Sequence, residues 1–465
     1  MHYDLIAIGA GTAGLTVADV GPRLGLKTAI IEKNKVGGDC TWYGCVPSKS
    51  LLKIARIAHS ARTAGDYGVH VSAPEVDMAR VREYIHTAIG DIHAHETPDK
   101  IREKGTDVIE GTARFLDPHT LDVDGQTITA GHVVLATGAS PFVPPITGLD
   151  SVPFHTNHTI FDNERLPDHL MIIGAGPIGC ELGQAYRRLG ADVTLVDVNF
   201  MGSNDADATA VMQQVFEREG IRVVDGLVEH ASMQGEDIVL RTNSGHELRG
   251  DMLLVAAGRR PNVEGLGLDA AGVAYTPQGI TVDKRLKTTA GHIYAAGDCV
   301  GPPYFTHYAG WQAFQALRNM FIPLKAPGHL AHVPHVTFTD PEVAQAGLTE
   351  SEAREQYGDD IVVATVHNDE VDRLVAEDDR SGFIKVIHRP NGTILGATIV
   401  GDRAGDAIME FIMAMDHNIK LDGLPESIHP YPTTASGIQL LAAEFTAEKV
   451  MGGLIGTVVR TLIGS

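Results

Sequence analysis

Cysteine is scarce in this chain, with four in 465 residues. That is too few for a disulfide-stapled scaffold and leaves catalysis or metal binding as the uses to weigh for those thiols. Basic side chains are also short, 37 Lys and Arg against 59 Asp and Glu, giving a formal charge of −22. Such a balance excludes the basic surface that nucleic acid or an anionic membrane requires. It says little about the substrate, because an acidic surplus is an ordinary solvated surface. No apolar run is long enough to span a membrane: the closing stretch Met451–Ile463 is interrupted by glycines and too short, and is expected to pack at a subunit interface. No basic leader precedes Asp4-Leu5-Ile6-Ala7-Ile8-Gly9, so a cytoplasmic location is expected. What remains is a chain with 43% hydrophobic residues and a mean hydropathy of −0.01, long enough for roughly three domains with ample core.

Glycine, by contrast, is placed with regularity. A strand ending at Ile8 runs into Gly9-Ala10-Gly11-Thr12-Ala13-Gly14, then a helix, then the strand Thr28–Ile31 and Glu32. The glycines allow a tight turn, close approach of backbone to a pyrophosphate and close helix packing, with the helix N-terminus facing the phosphate charge. Glu32 stands where a carboxylate accepts hydrogen bonds from a ribose. The unit recurs as the strand Leu170–Ile173, Gly174-Ala175-Gly176-Pro177-Ile178-Gly179, a helix, and Val193–Val196 before Asp197. Gly9, Gly11, Gly14 and Glu32 map onto Gly174, Gly176, Gly179 and Asp197 at a constant offset of 165 residues. Four positions at one offset imply two dinucleotide-binding units and hence two nucleotides.

Two of the four cysteines lie in Gly37-Gly38-Asp39-Cys40-Thr41-Trp42-Tyr43-Gly44-Cys45-Val46-Pro47-Ser48-Lys49, which reads as a redox-active disulfide. On a regular helix, residues five positions apart differ by about 7.5 Å along the axis. That exceeds the roughly 6.8 Å limit on Cα spacing in a disulfide. Bridging therefore needs a distorted helix start, which Gly44 permits and Pro47 tolerates. Cys45 then sits near a helix N-terminus, where the dipole favours thiolate. Cys180 and Cys299 read as small apolar fillers.

Cys-x4-Cys followed by Val46-Pro47-Ser48-Lys49, directly after a nucleotide-binding unit, resembles the flavin-dependent pyridine nucleotide-disulfide oxidoreductases: glutathione reductase, dihydrolipoamide dehydrogenase and mercuric reductase. The resemblance covers nearly the whole chain. It implies an α/β fold with two Rossmann-like dinucleotide-binding domains and a C-terminal α+β dimerisation domain. The divisions expected are 1–150 and 271–335 for the FAD-binding domain, 151–270 for the NAD(P)-binding domain, and 336–465 for the interface domain. The first glycine unit would then hold FAD and the second the nicotinamide. Asp197, with no arginine in Val198–Asn204, favours NADH over NADPH, since a carboxylate repels a 2′-phosphate.

Residue by residue, the resemblance makes Cys45 the thiolate against the flavin and Cys40 the thiol that attacks substrate. Lys49 would stabilise the anionic reduced flavin, and Glu181 would be its ion-pair partner. Gly38, Thr137, Gly138 and Gly258 join the cofactor-binding glycines and turns. Gly297 and Asp298, in Thr288–Asp298, match a second flavin motif in which Asp298 holds the ribityl chain. Thr306, in Tyr304–His307, is a further flavin contact. Two chains would pair, each completing the other's active site, with a small-molecule or protein-bound acceptor.

Metal sites are not expected. Met78–Lys104 reads as helical, with Val81, Ile85, Ile89, Ile92 and Ile101 at helical spacing, but His93 and His95 fall on different faces. Pro334 interrupts the His329, His332, His335 series. The pattern breaks elsewhere. Family members that reduce disulfides carry His-Pro-Thr with a glutamate five residues after the histidine, and here the text is His429-Pro430-Tyr431-Pro432-Thr433-Thr434-Ala435-Ser436. Alignment on Pro-Thr, the preferred one, puts Tyr431 at the histidine and Ser436 at the glutamate. Alignment on His-Pro keeps His429 but puts Thr434 at the glutamate. Tyrosine, with a pKa of about 10 against about 6.5 for histidine, is the poorer proton donor near neutral pH. It resembles mercuric reductase, yet that family's C-terminal cysteine pair and N-terminal metal-carrier domain are absent from this sequence. Reduction of Hg(II) is thus one alternative, and a low-turnover redox sensor is another.

Overall fold

The computed structural model describes residues 1–331, 333–453, 458 and 461–462; His332 and much of Met451–Ile463 lie outside them. The chain divides into two units, one of residues 1–174, 185–196 and 226–330, the other of 175–184, 197–225 and 331–465.

In the first unit, His2–Ile8 pairs in parallel with Thr28–Glu32 on one side and with Gln126–Leu135 on the other. Thr106–Glu110 extends the sheet beyond Thr28–Glu32, and Ile293–Ala295 returns from late in the chain to pair with Gln126–Leu135. The strands read as nearly unbroken apolar runs because both faces are covered. Ile6, Ile8, Ile31, Val133 and Leu135 point into one core, and Leu5, Ala7, Ile30 and Val134 into another. The period of two in side-chain direction divides one run between two cores.

The second strand set repeats the first. Leu5 pairs with Thr28 and Leu170 with Val193, and the pairing continues in step through Ile8 with Ile31 and Ile173 with Val196. Met252–Val255 flanks His169–Ile173 as Gln126–Leu135 flanks His2–Ile8. The 165-residue repeat in sequence is therefore a repeat in register.

The second unit carries an antiparallel sheet in the order His335–Thr337, Glu342–Gly347, Ile394–Gly401, Phe383–His388, Val362–His367. Ile384, Val386, Ala397 and Ile399 pack with Phe411, Ile438 and Leu441 of the helices Met409–Asp416 and Ala435–Gly452. This is the expected α+β domain.

One helix differs from the sequence reading. Met78–Lys104 is two helices, Met78–His93 and Pro98–Glu103. Thr97 caps the second through Lys100 N–H and Pro98 starts it, a stop-and-restart that apolar spacing cannot register. Val81, Ile85, Ile89 and Ile101 are buried, whereas Ile92 is exposed.

Candidate active site

The first glycine loop is built by backbone crowding. Gly9 has φ +104°, and a Cβ there would stand 2.3 Å from the Ala136 carbonyl oxygen; one on Gly14 would stand 1.8 Å from the Gly9 oxygen. Gly38 has φ +64° and leaves no room for a side chain against Gly11 Cα, 2.5 Å from its Cβ position. Gly11 has nothing closer than Gly38 Cα at 3.8 Å, and Gly138 faces open space. Glu32 Oε2 accepts the Ala10 N–H at 2.6 Å and Oε1 the Asn34 N–H at 2.8 Å, so the carboxylate braces the loop. Thr137 and Gly138 are stitched to Asn262, which accepts Thr137 Oγ1 at 2.7 Å through its carbonyl and donates its N–H to the Gly138 carbonyl at 2.9 Å. Open glycine faces at a helix N-terminus beside a fixed carboxylate fit a dinucleotide.

The redox segment folds as two helices broken at one glycine. Gly38–Tyr43 ends at Gly44, with φ −122° and ψ −108°, and Cys45–Thr63 begins immediately after it. The break brings Cys40 back beside Cys45, close enough for the two sulfurs to share a hydrogen bond. Cys40 is half-buried and Cys45 exposed. Thr306, the first residue of the Thr306–Phe321 helix, puts its hydroxyl 3.5 Å from Cys45 Sγ, so two helix N-termini meet at the thiols. The Cys40 thiol is held far above the ordinary thiol range, first by its hydrogen bond to Cys45 and then by burial. Lys49, one turn into the helix, donates to Ser48 Oγ at 3.3 Å.

A charged cluster beside Cys40 escaped the sequence reading. Arg259, 13% exposed, reaches Asp39 Oδ2 at 3.0 Å and Asp298 Oδ2 at 3.4 Å. His158 Nε2 is 2.8 Å from Asp39 Oδ1, and its ring lies 4.5 Å from that of Tyr43. Burial opposes charge on Asp39, but His158 and Arg259 hold its carboxyl below the usual range; on Asp298 burial prevails and the pKa rises. An aspartate directly before Cys40 was the available signal. Its partners come from positions 158 and 259, which only folding brings near.

The second loop copies the first. Gly174 has φ +109° with the Ala256 oxygen 2.3 Å from its Cβ position, Gly176 faces open space, and Gly258 has φ +116° with open space too. Asp197 Oδ2 accepts the Ala175 N–H at 2.7 Å and Oδ1 the Asn199 N–H at 3.1 Å, the counterparts of Ala10 and Asn34 at the same offset. Glu181, 5% exposed, accepts the Phe338 N–H at 3.0 Å. Cys180 and Cys299 are fully buried, as expected of fillers.

The two alternative proton donors have different surroundings. The His429 side chain is 6% exposed, with Nε2 2.7 Å from Glu410 Oε1 and Nδ1 3.1 Å from the Ser427 oxygen. Tyr431 is 73% exposed and donates to Asp372 Oδ2 at 2.5 Å, a bond that raises its pKa. Among the described residues, no group of three or more His, Cys, Asp or Glu is disposed to hold a metal ion, and no helix is long and apolar enough to cross a membrane.

Two nucleotide loops in common register and a vicinal dithiol between helix starts define an oxidoreductase that links a nucleotide to sulfur chemistry. The comparisons agree: the pattern of the pyridine nucleotide-disulphide oxidoreductases matches residues 3–313, and that of their dimerisation domain residues 333–442. The chain belongs to this family. A mercuric reductase of Bacillus cereus is 34% identical over 454 residues, 96% of this chain and 72% of that protein. A dihydrolipoyl dehydrogenase of Thermus scotoductus is 34% identical over 457 residues, 94% of this chain and 96% of that one. Among solved structures, the HOCl-induced flavoprotein disulfide reductase RclA from Escherichia coli is 27% identical, with a TM-score of 0.85 over 95% of this chain and 99% of its own. LpdA from Mycobacterium tuberculosis is 27% identical, with a TM-score of 0.87 at the same coverage. The protein is an FAD-dependent oxidoreductase that uses NAD(P)H and acts on sulfur groups, and it carries the family's dimerisation domain.

Proposed function

We propose that the chain reduces a disulfide or another thiol-reactive acceptor with electrons from NADH, working through Cys40 and Cys45. The observation that carries this reading is the placing of the two thiols side by side at the Gly44 break, with the start of the Thr306–Phe321 helix 3.5 Å from Cys45. FAD, bound by Gly9, Gly11, Gly14, Glu32, Gly38, Thr137, Gly138, Gly297, Asp298 and Thr306, supplies two-electron transfer between a nicotinamide and a dithiol. Segments 1–150 and 271–335 form its domain in this reading. Segment 151–270, with Gly174, Gly176, Gly179, Asp197 and Gly258, takes the nicotinamide nucleotide, and 336–465 is the interface.

The chain's own residues do the following. Cys45, at a helix start and beside the Thr306 hydroxyl, holds the thiolate. Cys40 attacks the acceptor, and the thiolate that leaves takes a proton from a donor outside the Cys40 helix. Tyr431 of a second copy, exposed and paired with Asp372, is the residue offered to that site; the buried His429 side chain is committed to Glu410. Lys49 supplies positive charge one turn from Cys45, with Glu181 as its ion-pair partner. Asp197, braced against Ala175 and Asn199, receives the ribose and disfavours a 2′-phosphate. The location is cytoplasmic.

Hg(II) reduction is a second reading, favoured by Tyr431 in place of histidine and by the 34% identity to the Bacillus cereus mercuric reductase. Metal bound by two thiolates leaves by ligand exchange and needs less protonation. A sensor with negligible turnover is a third. Anaerobic NADH titration of wild type and Cys40→Ala, followed by visible absorbance, tests the core of the proposal. A long-wavelength band at two electrons per flavin, altered by the substitution, is expected. Direct bleaching with no such band, unaffected by removal of Cys40, overturns the dithiol route. Acceptor screening with disulfides against thiol-bound Hg(II) then separates the first two readings, and steady turnover eliminates the third.

A further inference from the structure

Lys385 lies in the middle of the Phe383–His388 strand and is 1% exposed. Its ammonium stands 2.9 Å from Asp205 Oδ1, 2.7 Å from Asp207 Oδ2 and 2.7 Å from Glu350 Oε2. Burial alone would lower its pKa, but the hydrogen bonds to Asp207, Glu350 and Asp205 raise it, so the lysine stays charged. A cation so enclosed is tolerated only when its partners are fixed.

Of the three carboxylates, Asp205 is the most constrained. It is 2% exposed; it caps the Ala206–Glu219 helix by accepting the Asp207 N–H at 3.2 Å, accepts the Glu350 N–H at 3.0 Å, and donates its own N–H to Gln345 Oε1 at 2.8 Å. It also ends the turn that leaves Asp197. The other end of that turn is tied to the second glycine loop, where Asp197 accepts the Ala175 N–H and Met201 N–H donates to the Ala175 oxygen at 3.0 Å. Between the ends, Met201 is buried with φ +48°, and Asn204 donates to the Met201 oxygen through its backbone at 2.9 Å and its side chain at 3.1 Å. The turn is therefore held at two points, by the loop at Asp197 and by Lys385 at Asp205.

We propose that Lys385 is a positioning residue for the pyridine nucleotide: through Asp205 it fixes the 198–204 turn and with it the Asp197 carboxylate that receives the ribose. The inference rests on the reading of the second glycine loop as the nicotinamide-nucleotide site. A staple that merely holds the fold would affect stability and the yield of active protein alone. A positioning residue also affects nucleotide affinity.

Stopped-flow flavin reduction by NADH on the holoenzyme separates the two. Lys385→Met and Asp205→Asn are expected to raise the NADH concentration for half-maximal rate by about tenfold, with the rate at saturating NADH within about twofold of wild type and preference over NADPH reduced. Asp207→Asn removes one negative charge beside the same ammonium from the solvent side, outside the 198–204 turn, and is expected to leave that concentration unchanged. Should Lys385→Met not fold, Asp205→Asn carries the comparison. Unchanged half-saturation in Asp205→Asn, or an equal rise in Asp207→Asn, overturns the proposal. Failure of NADH to reduce wild-type flavin would instead remove the reading on which it rests.

Discussion

The two glycine loops make a paired perturbation with one steric cause and two different outcomes. In Gly9→Ala the new Cβ would lie 2.3 Å from the Ala136 oxygen and 2.8 Å from its carbon, at φ +104°. In Gly174→Ala it would lie 2.3 Å from the Ala256 oxygen and 2.6 Å from its carbon, at φ +109°. Left-handed backbone costs a residue with a Cβ about 1–2 kcal/mol. Displacing a packed neighbour costs about 1–3 kcal/mol more, and here that neighbour is backbone just past the end of a parallel strand, Gln126–Leu135 or Met252–Val255, rather than a movable side chain. Each substitution therefore strains its loop by about 2–5 kcal/mol. If 3 kcal/mol of that appears in nucleotide affinity, the loss is on the order of 100-fold. Gly9→Ala should purify with little flavin, read as the ratio of absorbance near 450 nm to that of protein. Gly174→Ala should keep its flavin, accept electrons from dithionite and respond poorly to NADH. Flavin lost equally from both variants, or retained with full NADH reactivity in Gly9→Ala, would refute the assignment of the loops.

Other outcomes follow from the same geometry. Reduced protein treated with iodoacetamide at pH 7 should be labelled more slowly at Cys40 than at Cys45, because the Cys45 hydrogen bond and burial keep Cys40 protonated; peptide mass spectrometry showing Cys40 reacting like a free thiol would contradict this. Burial raises the pKa of Asp379 to about 6 from 3.8, despite the hydrogen bond it accepts from Asp402 N–H. The protonated form is thus the one the fold favours, and stability falls as pH rises from about 4 to about 6. Asp379→Asn should remove that slope and raise stability at pH 8 by about 1–3 kcal/mol, measured by thermal or urea unfolding at pH 5 and 8; no gain at pH 8 would refute it. Tyr431→Phe should leave NADH-driven flavin reduction intact and slow reoxidation by the acceptor, whereas Tyr431→His should raise disulfide reduction near pH 7 relative to Hg(II) reduction. Unchanged acceptor kinetics in both would place Tyr431 outside the active site.

Much of this protein is decided within short windows of sequence. A glycine with a positive φ, a carboxylate 23 residues after it and a strand of Val, Ile and Ala are local requirements, and each is met twice at one offset. For that reason the two nucleotide units, the broken helix at Gly44 and the cysteine pair were legible without coordinates. The split of Met78–Lys104 was not, because capping by Thr97 competes with an apolar period that runs straight across it. Tertiary structure alone decided which of two nearby residues is presented outward: Tyr431 and His429 are two positions apart, and only their partners, Asp372 and Glu410, distinguish the exposed phenol from the buried imidazole. The same holds for Arg259 between Asp39 and Asp298, and for Lys385 among Asp205, Asp207 and Glu350. Charged groups attract whatever the fold brings within a few ångströms, and sequence separation carries no record of that distance. Backbone geometry is written locally in this chain, whereas its electrostatics are written by the fold.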